Sequence, residues 1–273
     1  MNLIFGKKSF LASTYLSKSK KNNYSLEKRD LEHFFNLDKQ KFIESYLYNY
    51  KIKFIFIFIG KNYKKIKDNN FENNSINYEI PIRILKKLIN FRLGYKLNFI
   101  FFGSQLEYQV NNFDSISDYN YAKAKKKLSK FLFKNYKVME FNFLKLDLPL
   151  LYFNPNNKNT FLFYLVKSVK DKKKFKIHYP NYQFYFLNVS DLVNFLLQLE
   201  SNKKIFNNYK NRSLPVPSDG PYKLIDIANS LKANLISNYI DCKTNKKRLK
   251  FRPAKIQKFP VSNFFKNIKN FYV

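Results

Sequence analysis

Residue types that could do chemistry fall in two short stretches. The first is Gly6-Lys7-Lys8-Ser9-Phe10-Leu11-Ala12, which stands between the apolar run Asn2 to Phe5 and a stretch of helical character. A strand that turns tightly into a helix suits a dinucleotide pyrophosphate. The turn needs a residue without a Cβ, and the helix N-terminus offers amide N–H groups and the positive end of its dipole. In the second stretch, Ser104 follows the apolar run Leu97 to Gly103. Beyond it lie two overlapping Tyr-x-x-x-Lys frames, Tyr119/Lys123 and Tyr121/Lys125. A tyrosine that exchanges a proton with a carbonyl or hydroxyl starts from a free pKa of about 10. A lysine ammonium one helical turn on favours its phenolate, and a serine hydroxyl can donate to the same oxygen.

These residues need elements to position them. Asn2 to Phe5 reads as a short buried strand, 9–17 as a helix, Tyr24 to Glu27 as a second strand and Phe42 to Tyr50 as a helix. The continuous apolar run Phe54 to Gly60 has the character of a parallel strand buried on both faces. Ile80 to Gly94 predicts a helix with Gly94 as its stop, Leu97 to Gly103 another buried strand, Tyr121 to Phe133 a helix and Met139 to Leu146 a further strand. Alternation of strand and helix through residue 146 is the pattern of crossovers around a parallel sheet. Gly6, Gly60 and Gly103 each follow a strand-like run, where backbone comes close to a ligand at the carboxyl end of such a sheet. After residue 147 the stretch through Asn159 reads as a loop, 160–174 as an amphipathic helix, and 188–200 as a helix capped by Ser190 or Asn188. Residues 213–231 read as a short strand, a Ser-Asp-Gly-Pro turn and a helix. The last thirty or so residues are basic and poorly patterned.

Composition excludes several classes. With 31 Phe and 21 Tyr, the chain carries more apolar area than a disordered one. One cysteine, Cys242, rules out a disulfide scaffold, and with only His33 and His178 beside it a closed zinc site is not expected. The most apolar run, Lys53 to Lys61, is far shorter than the ~20 residues of a membrane span, and lysines interrupt the N-terminal apolar stretch. A cytoplasmic, reducing compartment is expected. The formal charge of +32 invites nucleic acid as a partner. Yet only six of the 51 basic residues are Arg, the type favoured for base edges and phosphate forks. Lys, Asn, Ile, Phe and Tyr are all abundant and all have A/T-rich codons, so a coding bias would raise them together without selection for binding, and nucleic acid is not the expected partner. His33, His178 and Cys242 read as bystanders.

The two stretches together resemble the short-chain dehydrogenase/reductase superfamily. Gly6, Ser9 and Ala12 stand at the three positions of its Gly-x-x-Gly-x-x-Gly turn, with a Ser9 side chain where the pyrophosphate would approach. Ser104, Tyr121 and Lys125 match its catalytic Ser and Tyr-x-x-x-Lys; this frame places Leu128, Phe131 and Leu132 where the family's helix is apolar. The resemblance extends to the nucleotide-sugar-modifying branch of epimerases, 4-keto-reductases and 4,6-dehydratases. Asn77 matches the Asn that begins the family's central helix, Asn36 and Leu37 its Asp-Leu near the adenine, Pro149 and Tyr152 its loop after the sixth strand, and Val189 and Asp191 its Val-x-Asp helix start. Phe153 and Asp147 depart from its pattern. The dehydratases place Asp and Glu directly after the catalytic residue; here Gln105 and Leu106 follow, and Glu107 is one place too far along.

The resemblance implies an α/β fold: a Rossmann-type, doubly wound parallel sheet over residues 1–147, then a smaller C-terminal α/β substrate domain over 148–273, interleaved with the end of the sheet. It implies an NAD(P)-dependent nucleotide-sugar epimerase or 4-keto-reductase with Ser104, Tyr121 and Lys125 as catalytic residues. The cofactor, NAD or NADP, would be held by Gly6, Ser9, Phe10, Leu11, Ala12, Asn36, Leu37, Gly60, Tyr121, Lys125 and Pro149. Glu27 or Asp30 would favour NAD, and Lys28 and Arg29 NADP. A nucleotide sugar is the implied substrate, and a homodimer through the helices 80–94 and 121–133 is a possible assembly. A catalytically silent relative serving as a subunit, or a basic ribosomal-type RNA-associated protein, stays open as an alternative.

Overall fold

The computed structural model describes residues 1–26, 35, 45, 47–60, 74–91, 95–109, 116–152, 161–177, 181, 183–233, 252–254, 259 and 261–272. The chain divides into two compact units, one of Met1–Asp147 with Val193–Leu214, the other of Leu148–Leu192 with Pro215–Val273.

The first unit is built on β1 (Asn2–Phe5), α1 (Phe10–Lys18), β2 (Asn23–Leu26), β3 (Phe54–Ile57), α2 (Ile80–Ile89), β4 (Asn98–Ser104), α3 (Ile116–Asn135) and β5 (Asn142–Leu148). Its six-stranded sheet has the order β2-β1-β3-β4-β5-β8, where β8 is Arg212–Pro215. The pairings β1 with β2, β1 with β3, and β3 with β4 are all parallel. This is the doubly wound α/β arrangement. All four residues of β1 and of β3 are buried, as continuous apolar runs covered on both faces require. Leu3, Phe5, Ile55, Ile57, Phe99 and Phe101 pack on one side with Ile84, Leu85 and Leu88 of α2 and Leu128 and Leu132 of α3.

Two strands leave β1 in opposite directions along the sheet, so the carboxyl ends of β1 and β3 form a topological switch point, where ligands of such sheets bind. The backbone is continuous there: Phe58 N–H donates to the Phe5 carbonyl at 2.9 Å. At the other end of β1, Asn2 Nδ2 donates to the buried Glu200 at 2.7 Å, tying the end of α5 (Val189–Ser201) to the sheet. Helix α6 (Lys203–Tyr209) follows and buries Phe206 against Phe54.

The second unit holds a three-stranded sheet of β6 (Leu150–Tyr152), β7 (Gln183–Asn188) and β9 (Asp219–Lys223) in the order β6-β7-β9, with α4 (Phe161–Lys170), α7 (Leu224–Ser230) and α8 (Phe264–Tyr272). Its core joins Leu162, Leu165, Phe186, Ile227, Phe264 and Ile268.

Several element boundaries differ from expectation. Residues 147–159 were expected to form a loop, yet Leu150–Tyr152 pairs in parallel with β7. The Ser-Asp-Gly-Pro segment contributes a strand rather than a turn, because Asp219–Lys223 pairs antiparallel with β7. The strand β7 and the helices α6 and α8 were not expected. The strand expected over 54–60 ends at Ile57, the helix expected over 80–94 ends at Ile89, and the helix expected from Tyr121 begins at Ile116. Asn188, one of the two expected caps, accepts from Ser190 N–H at 2.8 Å.

Candidate active site

The site is assembled in the first unit at the carboxyl ends of β1, β3 and β4. Gly6 leaves β1 at φ +89°, a conformation that favours glycine. A Cβ there would also lie 3.0 Å from the Phe58 carbonyl carbon and oxygen, so the two strand ends can approach only because Gly6 has none. The turn is closed by Ser9 N–H donating to the Gly6 carbonyl at 2.9 Å. Ser9 is then the N-cap of α1, its Oγ accepting from Ala12 N–H at 3.2 Å. The Ser9 side chain is thus turned onto the helix. The cap uses one first-turn donor, Ala12, and leaves the amides of Phe10 and Leu11, which no intrahelical carbonyl can reach.

Ser104 ends β4 and is buried. Helix α3 presents Ala122, Ala124, Lys125, Leu128 and Leu132 inward, with Tyr121 half-buried beside them. The other frame faces solvent: Tyr119 is 37% exposed, and Lys123 is exposed and lies over its ring. The Tyr121 and Ser104 side chains are hydrogen-bonded. Lys125 Nζ lies 5.9 Å from the Tyr121 ring centroid and donates to the Phe102 carbonyl at 2.9 Å. A Cβ placed on Gly60 would sit 3.4 Å from both Lys125 Nζ and Asn77 Oδ1, so Gly60, Asn77 and Lys125 meet. Asn77 is fully buried in a π-helical turn, Ser75–Glu79, that leads into α2.

Burial pushes the Tyr121 hydroxyl above the ordinary tyrosine value, the Glu107 carboxylate pushes it further, and the Ser104 hydrogen bond opposes both. The phenol is therefore protonated at neutral pH, the form that can donate to a carbonyl oxygen. Burial pulls Lys125 down to about 8; the Glu107 charge opposes this, Lys145 adds to it and Asp147 opposes it. The sign for stability follows. A lysine whose folded pKa is depressed costs stability while it stays charged, and that cost is relieved as pH rises from about 8 towards 10.5. Denaturant titrations of wild type and Lys125→Met should show their stability difference moving in favour of wild type over that window. A constant difference would mean that Lys125 is not the buried cation described.

Sequence reasoning missed the cluster behind these residues. Lys145 and Asp147 stand two apart on β5, each 1% exposed, and are ion-paired. Lys145 also donates to Glu107 Oε2 at 2.8 Å. Asp147 Oδ2 accepts from Tyr108 and Ser213, both at 2.6 Å. Gly103 belongs to this cluster: a Cβ on it would collide with Asp147, Lys145 and Glu107. Its lack of a side chain therefore makes room for buried charges, not for a ligand as expected. The available signal was the pair of opposite charges at alternate positions in the otherwise apolar Phe143 to Leu148.

Asn36 and Leu37, together with Glu27 to Asp30, His33, Phe153, His178 and Cys242, lie outside the described residues. Pro149 is buried in the second unit, between β5 and β6. Among the described residues, no helix is long and apolar enough to cross a membrane.

No family model and no curated protein matches the sequence. Solved structures do match, over nearly the whole chain. A UDP-glucuronic acid 4-epimerase from Bacillus cereus, in complex with UDP-glucuronic acid and NAD, is 13% identical with a TM-score of 0.67, covering 99% of this chain and 97% of its own. A UDP-glucose 4-epimerase from Thermotoga maritima, with UDP-glucose, is 12% identical with a TM-score of 0.64 over 96% and 89%. A dTDP-glucose 4,6-dehydratase from Streptomyces venezuelae, with NAD bound, is 10% identical with a TM-score of 0.62 over 93% and 92%. The likeness is one of fold: the chain has the Rossmann-type fold of the extended short-chain dehydrogenase/reductase proteins that its sequence resembles.

Proposed function

We propose that this chain is an NAD(P)-dependent enzyme acting on a nucleotide-linked sugar, as a 4-epimerase or a 4-keto-reductase. The observation that carries this reading is the convergence of Ser104, Tyr121, Lys125, Asn77 and Gly60 at the carboxyl edge of a doubly wound sheet. A dinucleotide fits the residues present. Gly6 gives the tight turn, the Phe10 and Leu11 amides lie in the first turn of α1, and Lys125 offers a cation for ribose hydroxyls beside Gly60.

A bound nicotinamide supplies or accepts the hydride. The chain's own residues do the rest. Tyr121 gives its phenolic proton to a sugar carbonyl oxygen and, once it has become the phenolate, takes one back from a hydroxyl. Ser104 donates to the same oxygen. The Lys125 ammonium, one helical turn on, favours the phenolate when the proton has left. A dehydratase reading has less support, because Glu107 gives its oxygens to Ser104 N–H, Ser129 and Lys145 rather than to a reacting group.

A panel of nucleotide-linked 4-keto and 4-hydroxy hexoses, screened with NAD, NADP and their reduced forms, tests the proposal. Turnover of at least one member is expected. Silence across the panel would contradict it.

A further inference from the structure

Among the described buried carboxylates, Glu107 reaches three elements that carry the site. Its Oε1 accepts from Ser104 N–H at 2.9 Å, at the end of β4. Its Oε2 accepts from Ser129 Oγ at 2.7 Å, on α3 one turn beyond Lys125, and from Lys145 Nζ at 2.8 Å, on β5. We propose that Glu107 is the positioning residue of the site, holding Ser104 and the Lys125 turn of α3 in one register and supplying the negative charge that faces Lys125. The inference rests on reading that site as catalytic.

Counting charges supports it. A buried ion requires a partner, and Lys145 already has one in Asp147. Lys125 has no carboxylate within ion-pair distance among the described contacts; it donates instead to the Phe102 carbonyl. Lys145 is ion-paired to both carboxylates and neutralises only one of their two charges, so the remaining one balances Lys125: two buried lysines face two buried carboxylates. The groups around Lys125 are Glu107 from the turn after β4, Lys145 and Asp147 from β5, Tyr121 from its own helix, and Asn77 with Gly60. Of the charged ones, Glu107 and Asp147 favour the ammonium, and Lys145 disfavours it. A purely apolar side chain at 107 could fill the space, but it would leave the Ser104 amide without an acceptor and Lys125 without a counter-charge.

Glu107→Gln tests this. The variant should fold, because Lys145 keeps Asp147 and Lys125 can shed its proton. Lysine 13Cε resonances of the full chain, with Lys125 assigned by its loss in Lys125→Met, should titrate near 8 in wild type. In Glu107→Gln that midpoint should fall by about one unit or more. With a sugar substrate, kcat should drop about 10- to 100-fold, the scale of a small misplacement. The dinucleotide KM should stay within about twofold, and the alkaline limb of the pH profile should move down with the Lys125 midpoint. Ser129→Ala removes one tether and no charge, so it should lower kcat less and leave the midpoint in place. An unmoved Lys125 midpoint in Glu107→Gln overturns the proposal, whatever the activity. A moved midpoint in a chain that turns over no substrate upholds the hold of Glu107 on Lys125 and overturns the catalytic reading instead.

Discussion

Tyr121→Phe should lower turnover by at least about 100-fold, the scale of a lost general acid or base, while cofactor affinity changes little. The substitution removes one hydroxyl and leaves a ring of the same shape beside Lys125 and Ala122. Tyr119→Phe provides the control. Tyr119 is 37% exposed on the solvent side of α3, so losing its hydroxyl should be nearly silent. Steady-state rates of the two variants on one substrate decide between the overlapping frames. An essential Tyr119 with a dispensable Tyr121 would move the chemistry to Tyr119/Lys123. Indifference to both would remove tyrosine from the mechanism.

The largest loss of stability is expected from Lys145→Met. Lys145 lies 1% exposed between Glu107 and Asp147. Burial alone would lower its pKa, but the two carboxylates outweigh that and raise it, so it is firmly an ammonium at neutral pH. Methionine fills much of the volume and removes the cation ion-paired to both Glu107 and Asp147, leaving only Lys125 nearby. Breaking a buried ion pair in this way costs about 3–5 kcal/mol. Denaturant unfolding should show a lower midpoint with an unchanged slope. Removing all three charges together, as Lys145→Met with Glu107→Gln and Asp147→Asn, should recover part of the loss. A Lys145→Met chain as stable as wild type would mean that the cluster is not buried as described.

Much of the sheet was legible because its physics is local. Phe54–Ile57 and Asn98–Ser104 are continuous apolar runs, and such runs belong in parallel strands covered on both faces. Helix α3 was legible through Leu128, Phe131 and Leu132, of which Leu128 and Leu132 are buried and Phe131 is half-buried. The ion cluster was not. Glu107 and Lys145 are 38 residues apart, and no local pattern says that a charged strand residue will meet a carboxylate from another turn. Gly103 was misread for the same reason, since the space it leaves is taken by side chains from β5 and from the turn after β4. Strands β6 and β9 were missed because Pro, Asn and Gly argue for loops locally. Their pairing with β7 is a tertiary effect that overrides propensity. Ser9 was legible as a departure from the glycine pattern but not as the N-cap of α1, a role that depends on how the turn after β1 is folded.

Calorimetric titration of the full chain with NAD and NADP tests the central claim most directly, because it needs no knowledge of the sugar. Saturable binding of at least one dinucleotide is expected, and Lys125→Met should weaken it. No heat from either dinucleotide at millimolar concentration, in a chain that remains folded, would contradict the account.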